Sequence, residues 1–163
     1  MGREAEGPVI DILVESPLWE DGEDVRGTVE TAARAALAAA RPGLREGELS
    51  LVLADDAFQQ RLNRDWRGQD KPTNVLSFPA GPSAAGHLGD IILAHETVRQ
   101  EAERDGKPFA HHVAHLVVHG VLHLLGYDHG TEEEARDMEA LEVEILARLA
   151  VPNPYEESAA TGA

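Results

Sequence analysis

The chain is 163 residues long, 42% hydrophobic and 27% charged, proportions ordinary for one globular domain that builds its core without covalent staples. It has no cysteine, which excludes disulfides and thiolate metal sites, and a formal net charge of −16, which argues against a general basic surface for gripping nucleic acid. No apolar run approaches the roughly 20 residues of a membrane span, and the acidic N-terminus lacks a signal peptide's apolar core, so a cytoplasmic protein with no membrane partner is expected.

The stretch Val9-Ile10-Asp11-Ile12-Leu13-Val14 is β-rich and predicts a strand. Asp24 to Arg41 predicts a helix with Val25, Val29, Ala33, Leu37 and Ala40 on one face, ended by Pro42-Gly43. Leu49 to Leu53 alternates and predicts a second strand. Asp55 or Asp56 caps a short helix running to about Trp66, a residue expected to anchor the core. Two more strands, Thr73 to Phe78 and Asp90 to Ala94, flank a breaker-rich loop from Pro79 to Gly86. A helix from about His95 to Arg104 stops at Asp105-Gly106, and Pro108 opens the next, which carries Phe109, Val113, Leu116, Val117 and Leu124. Thr131 with Glu134 three residues later is a capping-box pattern that opens the last helix. Its core face is Ala135, Met138, Leu141, Ile145 and Leu149, and Pro152 lies beyond its end. No repeat or linker divides the chain. The expected fold is α+β, a single domain over residues 1–163 with a mixed sheet of about four strands packed with about five helices, and a frayed tail over 153–163.

The chemistry concentrates in the C-terminal half. His119 and His123 are four residues apart, so on a helix they share one face about one turn apart. Gly126 follows where a helix commonly ends in a left-handed conformation, and the turn can swing His129 back toward the same ion. Three neutral imidazoles leave the fourth position of a tetrahedral Zn²⁺ open, as in a catalytic site. One zinc ion is therefore expected, on this helix and the following turn. The spacing matches the long zinc motif of metzincin proteases except at one position: the glutamate that serves there as general base is here Gly120. His115, one turn earlier, is expected behind the ligands or facing substrate, and Asp128 is expected to orient a ligand ring or cap the turn. His111 and His112 are expected at the surface; His87 and His95 have no partner visible in sequence.

A second informative stretch runs from Asn63 to Pro79 and places Arg64, Arg67 and Lys71 just ahead of a strand, in a chain otherwise poor in positive charge. Arginine offers a planar fork of donors suited to phosphate oxygens. Trp66 could present a face to a base, although the core role is favoured. Lys71, Thr73, Asn74 and Ser77 are further candidates for contact with substrate or with the site's inner residues.

Together, the histidine motif from His119 to His129, the segment Lys71-Pro72-Thr73-Asn74-Val75-Leu76-Ser77-Phe78-Pro79 and Gly89-Asp90-Ile91 closely resemble the YbeY family of bacterial endoribonucleases. The resemblance runs from about Leu49 to Tyr155, with the order and spacing of all three segments preserved. It implies a single-strand-specific, metal-dependent endoribonuclease of rRNA processing, including maturation of the small-subunit rRNA 3′ end, and of ribosome quality control. It implies zinc ligands at His119, His123 and His129 and a functional arginine at Arg67, which would stabilise the phosphate. Single-stranded RNA, ribosomal RNA, and ribosomal subunits or ribosome-assembly proteins are the partners it suggests. Two routes stay open: attack by hydroxide leaves a 5′-phosphate and a 3′-hydroxyl, attack by the RNA 2′-hydroxyl a 2′,3′-cyclic phosphate. The alternatives are a zinc metallohydrolase of another class, such as a peptidase, or a largely non-catalytic ribosome-associated factor. Gly120 weighs against the peptidase, because attack on an amide normally needs the missing base. The open coordination position weighs against the third.

Overall fold

The protein is described from a computed structural model, which covers residues 7–20, 24–80, 86–128 and 130–155. Strands β1 (Val9–Val14), β2 (Glu48–Ala54), β3 (Val75–Pro79) and β4 (His87–Ala94) form one sheet in the order β1-β2-β4-β3. The first three in that order run parallel, and β3 is antiparallel to β4. Helices α1 (Arg26–Ala40), α2 (Asp56–Arg67), α3 (His95–Asp105), α4 (Phe109–Leu124) and α5 (Glu132–Arg148) complete the α+β domain. The expected mixed sheet of four strands and five helices is therefore present among the described residues.

Local chemistry accounts for the element ends. The Asp55 side chain accepts from the Phe58 amide and caps α2, and Gly68, at φ 71°, closes it. The capping box of α5 is complete: Thr131 accepts from Glu134 N, and the Glu134 carboxylate accepts from Thr131 N. Strand β4 starts at His87, three residues before the expected Asp90. Gly89 reads as a breaker in sequence, but inside this strand it marks a close approach. A Cβ there would lie 2.7 Å from Leu124 Cδ2 and 2.7 Å from the Phe78 carbonyl oxygen, at φ +150°.

The core gathers Leu49, Leu51 and Leu53 of β2, Ile91 and Leu93 of β4, Val29, Ala33 and Leu37 of α1, and most of α4. Helix α4 packs on α1, α3 and α5 and lies across β3 and β4, so it is the pivot of the domain. The tryptophan that anchors this core is Trp19, in a short 3₁₀ turn (Pro17–Glu20). It is 4% exposed and donates its indole N–H to the Ala54 carbonyl at 2.8 Å. Trp66, expected in that role, is 73% exposed, because it lies in the last turn of α2, beyond Asn63, the last buried residue of that helix. His95 fills the space between Trp19 and Phe109, with ring centroids at 5.0 and 5.4 Å.

Candidate active site

Helix α4 is apolar on most of its circumference, and its residues from Val113 to Leu122 are largely buried. His115, His119 and His123 recur every four residues and form a polar stripe along it. The His119 and His123 rings lie 5.2 Å apart and nearly perpendicular, and His115 lies 6.4 Å from His119. Gly120, next to His119, serves the packing of the helix. A Cβ there would meet Ile91 Cγ2 at 3.1 Å and Ser77 Oγ at 3.2 Å, and Ser77 donates to the Gly120 carbonyl at 3.3 Å. The position that holds a base in the proteases is thus the contact at which α4 settles on β3 and β4. That close contact sets the β3 side chains beside the histidine stripe.

A cleft of about 380 Å³ opens there. Its α4 wall is His115, His119 and His123, and its opposite wall includes Asn74 and Ser77, at and just before β3. Arg67, from the last turn of α2, and Tyr155, beyond α5, close two further sides. The buried amides of Gln59 and Asn63 hold Arg67 in register with β3. Gln59 donates to the Ile92 carbonyl at 3.1 Å and accepts from Thr73 N at 2.7 Å, while Asn63 donates to the Lys71 carbonyl at 2.8 Å. The guanidinium lies 5.7 Å from the Phe78 ring centroid. Among the described residues no aspartate or glutamate lines the cleft, so its fixed charge is the positive charge of Arg67, in a chain of net charge −16.

Two carboxylates stand behind the cleft walls. Glu142 of α5 is fully buried, and its Oε2 lies 2.7 Å from His119 Nδ1. Its Oε1 lies 3.2 Å from His115 Nε2 and accepts a short hydrogen bond from the Tyr155 hydroxyl. Burial alone would raise this carboxyl, but the hydrogen bonds from His115, His119 and Tyr155 outweigh it and hold the group down at about 2. Burial, and then the neighbouring Glu142, push the Tyr155 phenol well above its ordinary value. Glu101 of α3 plays a parallel part on the other side. It accepts from the Asn74 amide at 3.0 Å and faces His112 Nε2 at 2.8 Å. Burial holds the His112 imidazole below its ordinary value, against the opposing hydrogen bond of Glu101.

Of the residues singled out from sequence, Arg67, Asn74, Ser77, His115, His119 and His123 line this one cleft. Lys71 and Thr73 enter through their backbones, as partners of Asn63 and Gln59. Asp128 is exposed on the turn after α4. His129 lies outside the described residues, and among those described no group of three or more histidine, cysteine, aspartate or glutamate side chains is gathered to hold a metal. His112, expected at the surface, is 6% exposed, because α3 supplies Glu101 as its partner. Arg64, beside Arg67 in the basic stretch, turns to Asp65 at 3.3 Å instead of lining the cleft.

Sequence reasoning missed Glu142 and Tyr155. Glu142 did leave a signal: it falls four residues after Met138 and three before Ile145, inside the buried stripe of α5. A carboxylate on a core face requires a partner. Tyr155 left none, since its position depends on where the chain runs after α5. It falls within the expected tail, yet Asn153 accepts from the Tyr155 amide at 2.8 Å and the phenol docks on Glu142; residues from 156 on lie outside the description.

Known proteins resemble this chain over most of its length. Residues 19–150 match the family model described as Endoribonuclease YbeY. A protein named Endoribonuclease YbeY from Methylocella silvestris is 52% identical over 157 residues, 94% of this chain and 89% of that protein. One of the same name from Rhodopseudomonas palustris is 50% identical, over 91% of this chain and 90% of its own length. A third, from a Bradyrhizobium strain, is 47% identical, over 91% and 92%. The solution structure of a Thermotoga maritima protein superposes with a TM-score of 0.59 at 24% identity, over 87% of this chain and 92% of that one, a likeness of fold.

Proposed function

The chain belongs to the YbeY family of endoribonucleases, and from that premise we propose that the cleft between α4, β3 and Arg67 is where a single strand of RNA is bound and cut in rRNA processing. The observation that carries this is the convergence of Arg67 with His119 and His123 on one cleft whose described lining holds no carboxylate. At about 380 Å³ it is at the small end of the roughly 300–1,000 Å³ of ligand sites, room for the groups around one phosphodiester. Arg67 offers an anion a direct partner in a chain of net charge −16, and a bound metal would add the positive charge that offsets the ionised Glu142 behind the histidines.

The donor set fits a metal. His119 and His123 present imidazoles from successive turns of one rigid helix, and His129, six residues further along the sequence, is the expected third ligand. Imidazole nitrogen suits zinc, and one Zn²⁺ is proposed. A metal held there supplies Lewis acidity to the phosphate or to water. Arg67 contributes the rest of the charge complement, its planar fork fixing the phosphate and stabilising the negative charge that develops on it. Ser77 and Asn74 line the opposite wall, placed to meet the sugar-phosphate backbone. The wider role we propose is maturation of the small-subunit rRNA 3′ end and ribosome quality control in the cytoplasm, with ribosomal subunits or assembly proteins presenting the RNA. The peptidase reading has the histidine spacing in its favour but lacks its base, since that position is occupied by the packing contact at Gly120.

Incubation of wild-type protein and Arg67→Ala with single-stranded RNA, with and without a chelator, tests the reading. Cleavage by the wild type is expected to fall by about 100-fold or more in the variant and to stop with the chelator. Cleavage that survives both changes overturns it. End analysis of the products separates the routes: a 2′,3′-cyclic phosphate assigns attack to the 2′-hydroxyl, and a 5′-phosphate with a 3′-hydroxyl assigns it to hydroxide.

A further inference from the structure

We propose that Glu142, locked by Tyr155, is the positioning residue of the site: it fixes His119 in the tautomer and ring orientation that present Nε2 to a metal. The inference rests on reading the cleft as the metal-bearing nuclease site, and it adds two residues on which that site depends. Glu142 touches neither substrate nor metal in this scheme. It acts through His119.

Counting donors assigns the protons. An ionised carboxylate only accepts hydrogen bonds. At 2.7 Å from Glu142 Oε2, His119 Nδ1 must therefore carry the proton, which leaves the lone pair of a neutral ring on Nε2. That tautomer presents Nε2 as the ligating atom, and a carboxylate on the second nitrogen also raises the basicity of the ligating one. His115 is assigned by the same reasoning. Its Nε2, 3.2 Å from Glu142 Oε1 and 3.2 Å from the Tyr155 oxygen, is a donor, so its lone pair lies on Nδ1. That atom is buried and, among the described residues, has no hydrogen-bond partner.

Tyr155 completes the arrangement. Glu142 is a single side chain inside an apolar stripe, flanked by Met138 and Ile145, and a partial rotation about its broad terminal torsion would carry Oε2 out of line with His119. The phenol donates to Oε1 and packs edge-on against His115, ring centroids 5.4 Å apart, so that Oε2 stays aimed at His119. This hydroxyl comes from the segment that follows α5, whereas both imidazoles come from α4. Burial without partners would make an ionised carboxylate costly at this place, and all three partners face the cleft.

Two variants of the full chain test this, Glu142→Gln and Tyr155→Phe, each checked for fold by near-ultraviolet circular dichroism. The first keeps the side-chain volume but presents one acceptor and one amide where the carboxylate presents two acceptors. Zinc affinity, measured by competition with a chromogenic chelator, is expected to fall about 10–100-fold in Glu142→Gln. Nitrogen-15 NMR of the zinc-free protein is expected to show His119 protonated on Nδ1 in the wild type and a mixture of tautomers in the variant. A folded Glu142→Gln protein with wild-type zinc affinity and an unchanged His119 tautomer overturns the proposal. If Glu142→Gln does not fold, Tyr155→Phe decides: a several-fold loss of zinc affinity supports the lock, and unchanged affinity refutes it. A wild type that binds zinc through an Nδ1-protonated His119 yet leaves single-stranded RNA intact removes the nuclease reading and keeps the positioning role.

Discussion

Restoring the glutamate that metzincins carry after their first zinc histidine tests whether Gly120 is a lost catalytic residue or a packing requirement. Two substitutions at this position divide the effect. Gly120→Ala adds one methyl at a site where the nearest atoms would be Ile91 Cγ2 at 3.1 Å, Ile91 Cδ1 at 3.2 Å and Ser77 Oγ at 3.2 Å. The helix gains about 1 kcal/mol from replacing an interior glycine. Overpacking costs about 1–3 kcal/mol, and Ser77 is held in place by its bond to the Gly120 carbonyl, so it yields little. The net is a loss of about 0–2 kcal/mol, a fall of up to about 1 M in urea midpoint at an m of roughly 2 kcal/mol/M. Gly120→Glu adds a charged group in the same buried place, for several kcal/mol more. That takes a large part of the roughly 5–15 kcal/mol that holds a domain together. Equilibrium urea unfolding followed by circular dichroism, with a casein-cleavage assay alongside, reads both. A Gly120→Glu protein with the wild-type midpoint, or one that digests casein, would refute the reasoning.

Other outcomes follow from the same geometry. Arg67→Lys keeps the charge but not the fork, so RNA cleavage is expected to fall by about tenfold or more with an unchanged melting temperature; full activity would show that point charge suffices. Gly89→Ala places a Cβ 2.7 Å from the Phe78 carbonyl at φ +150°, and the strain of about 1–3 kcal/mol plus the clash should lower the thermal midpoint by several degrees at least. The Glu142 carboxyl ordinarily titrates near 4.5 and is held down at about 2, so its contribution to stability is complete above pH 4.5 and is lost as pH falls toward 2. Over that window the urea midpoint of Glu142→Gln is expected to change less with pH than that of the wild type, and parallel curves would contradict this. Thr131→Ala breaks the capping box of α5 and should cost about 1 kcal/mol in urea unfolding.

Much of this molecule is legible in its sequence, for reasons that differ by residue. The histidine spacing, the caps at Asp55 and Thr131 and the apolar periodicities are local signals, each written within a few neighbours. Strand β4 is legible only from Asp90, because Gly89 announces a loop to a reader who does not know that Phe78 and Leu124 press against it. Trp66 and His112 illustrate a second limit. Residue type favours the core for one and the surface for the other, and the tertiary environment reverses both: the last turn of α2, which carries Trp66, runs past the buried Asn63, and Glu101 partners His112. The gathering of Arg67 with His119 is expected from the family resemblance, but the means that fix it are not. Those means are the buried amides of Gln59 and Asn63, whose hydrogen bonds span 8 to 33 residues. The metal-ligand assignment itself turns on His129, a position outside the described residues.

Tyr155 has a consequence for the order of events during synthesis. The walls of the cleft are drawn from Arg67 through Tyr155, and the last of them lies after the end of α5. A nascent chain can form the sheet, and even seat α4 upon it, while Glu142 and Tyr155 are still within the ribosome. Until then the His119 ring lacks the Glu142 carboxylate that orients it. On the proposed reading the site is complete only when residue 155 has emerged, so a shorter nascent chain carries no assembled cleft beside the RNA of the ribosome making it.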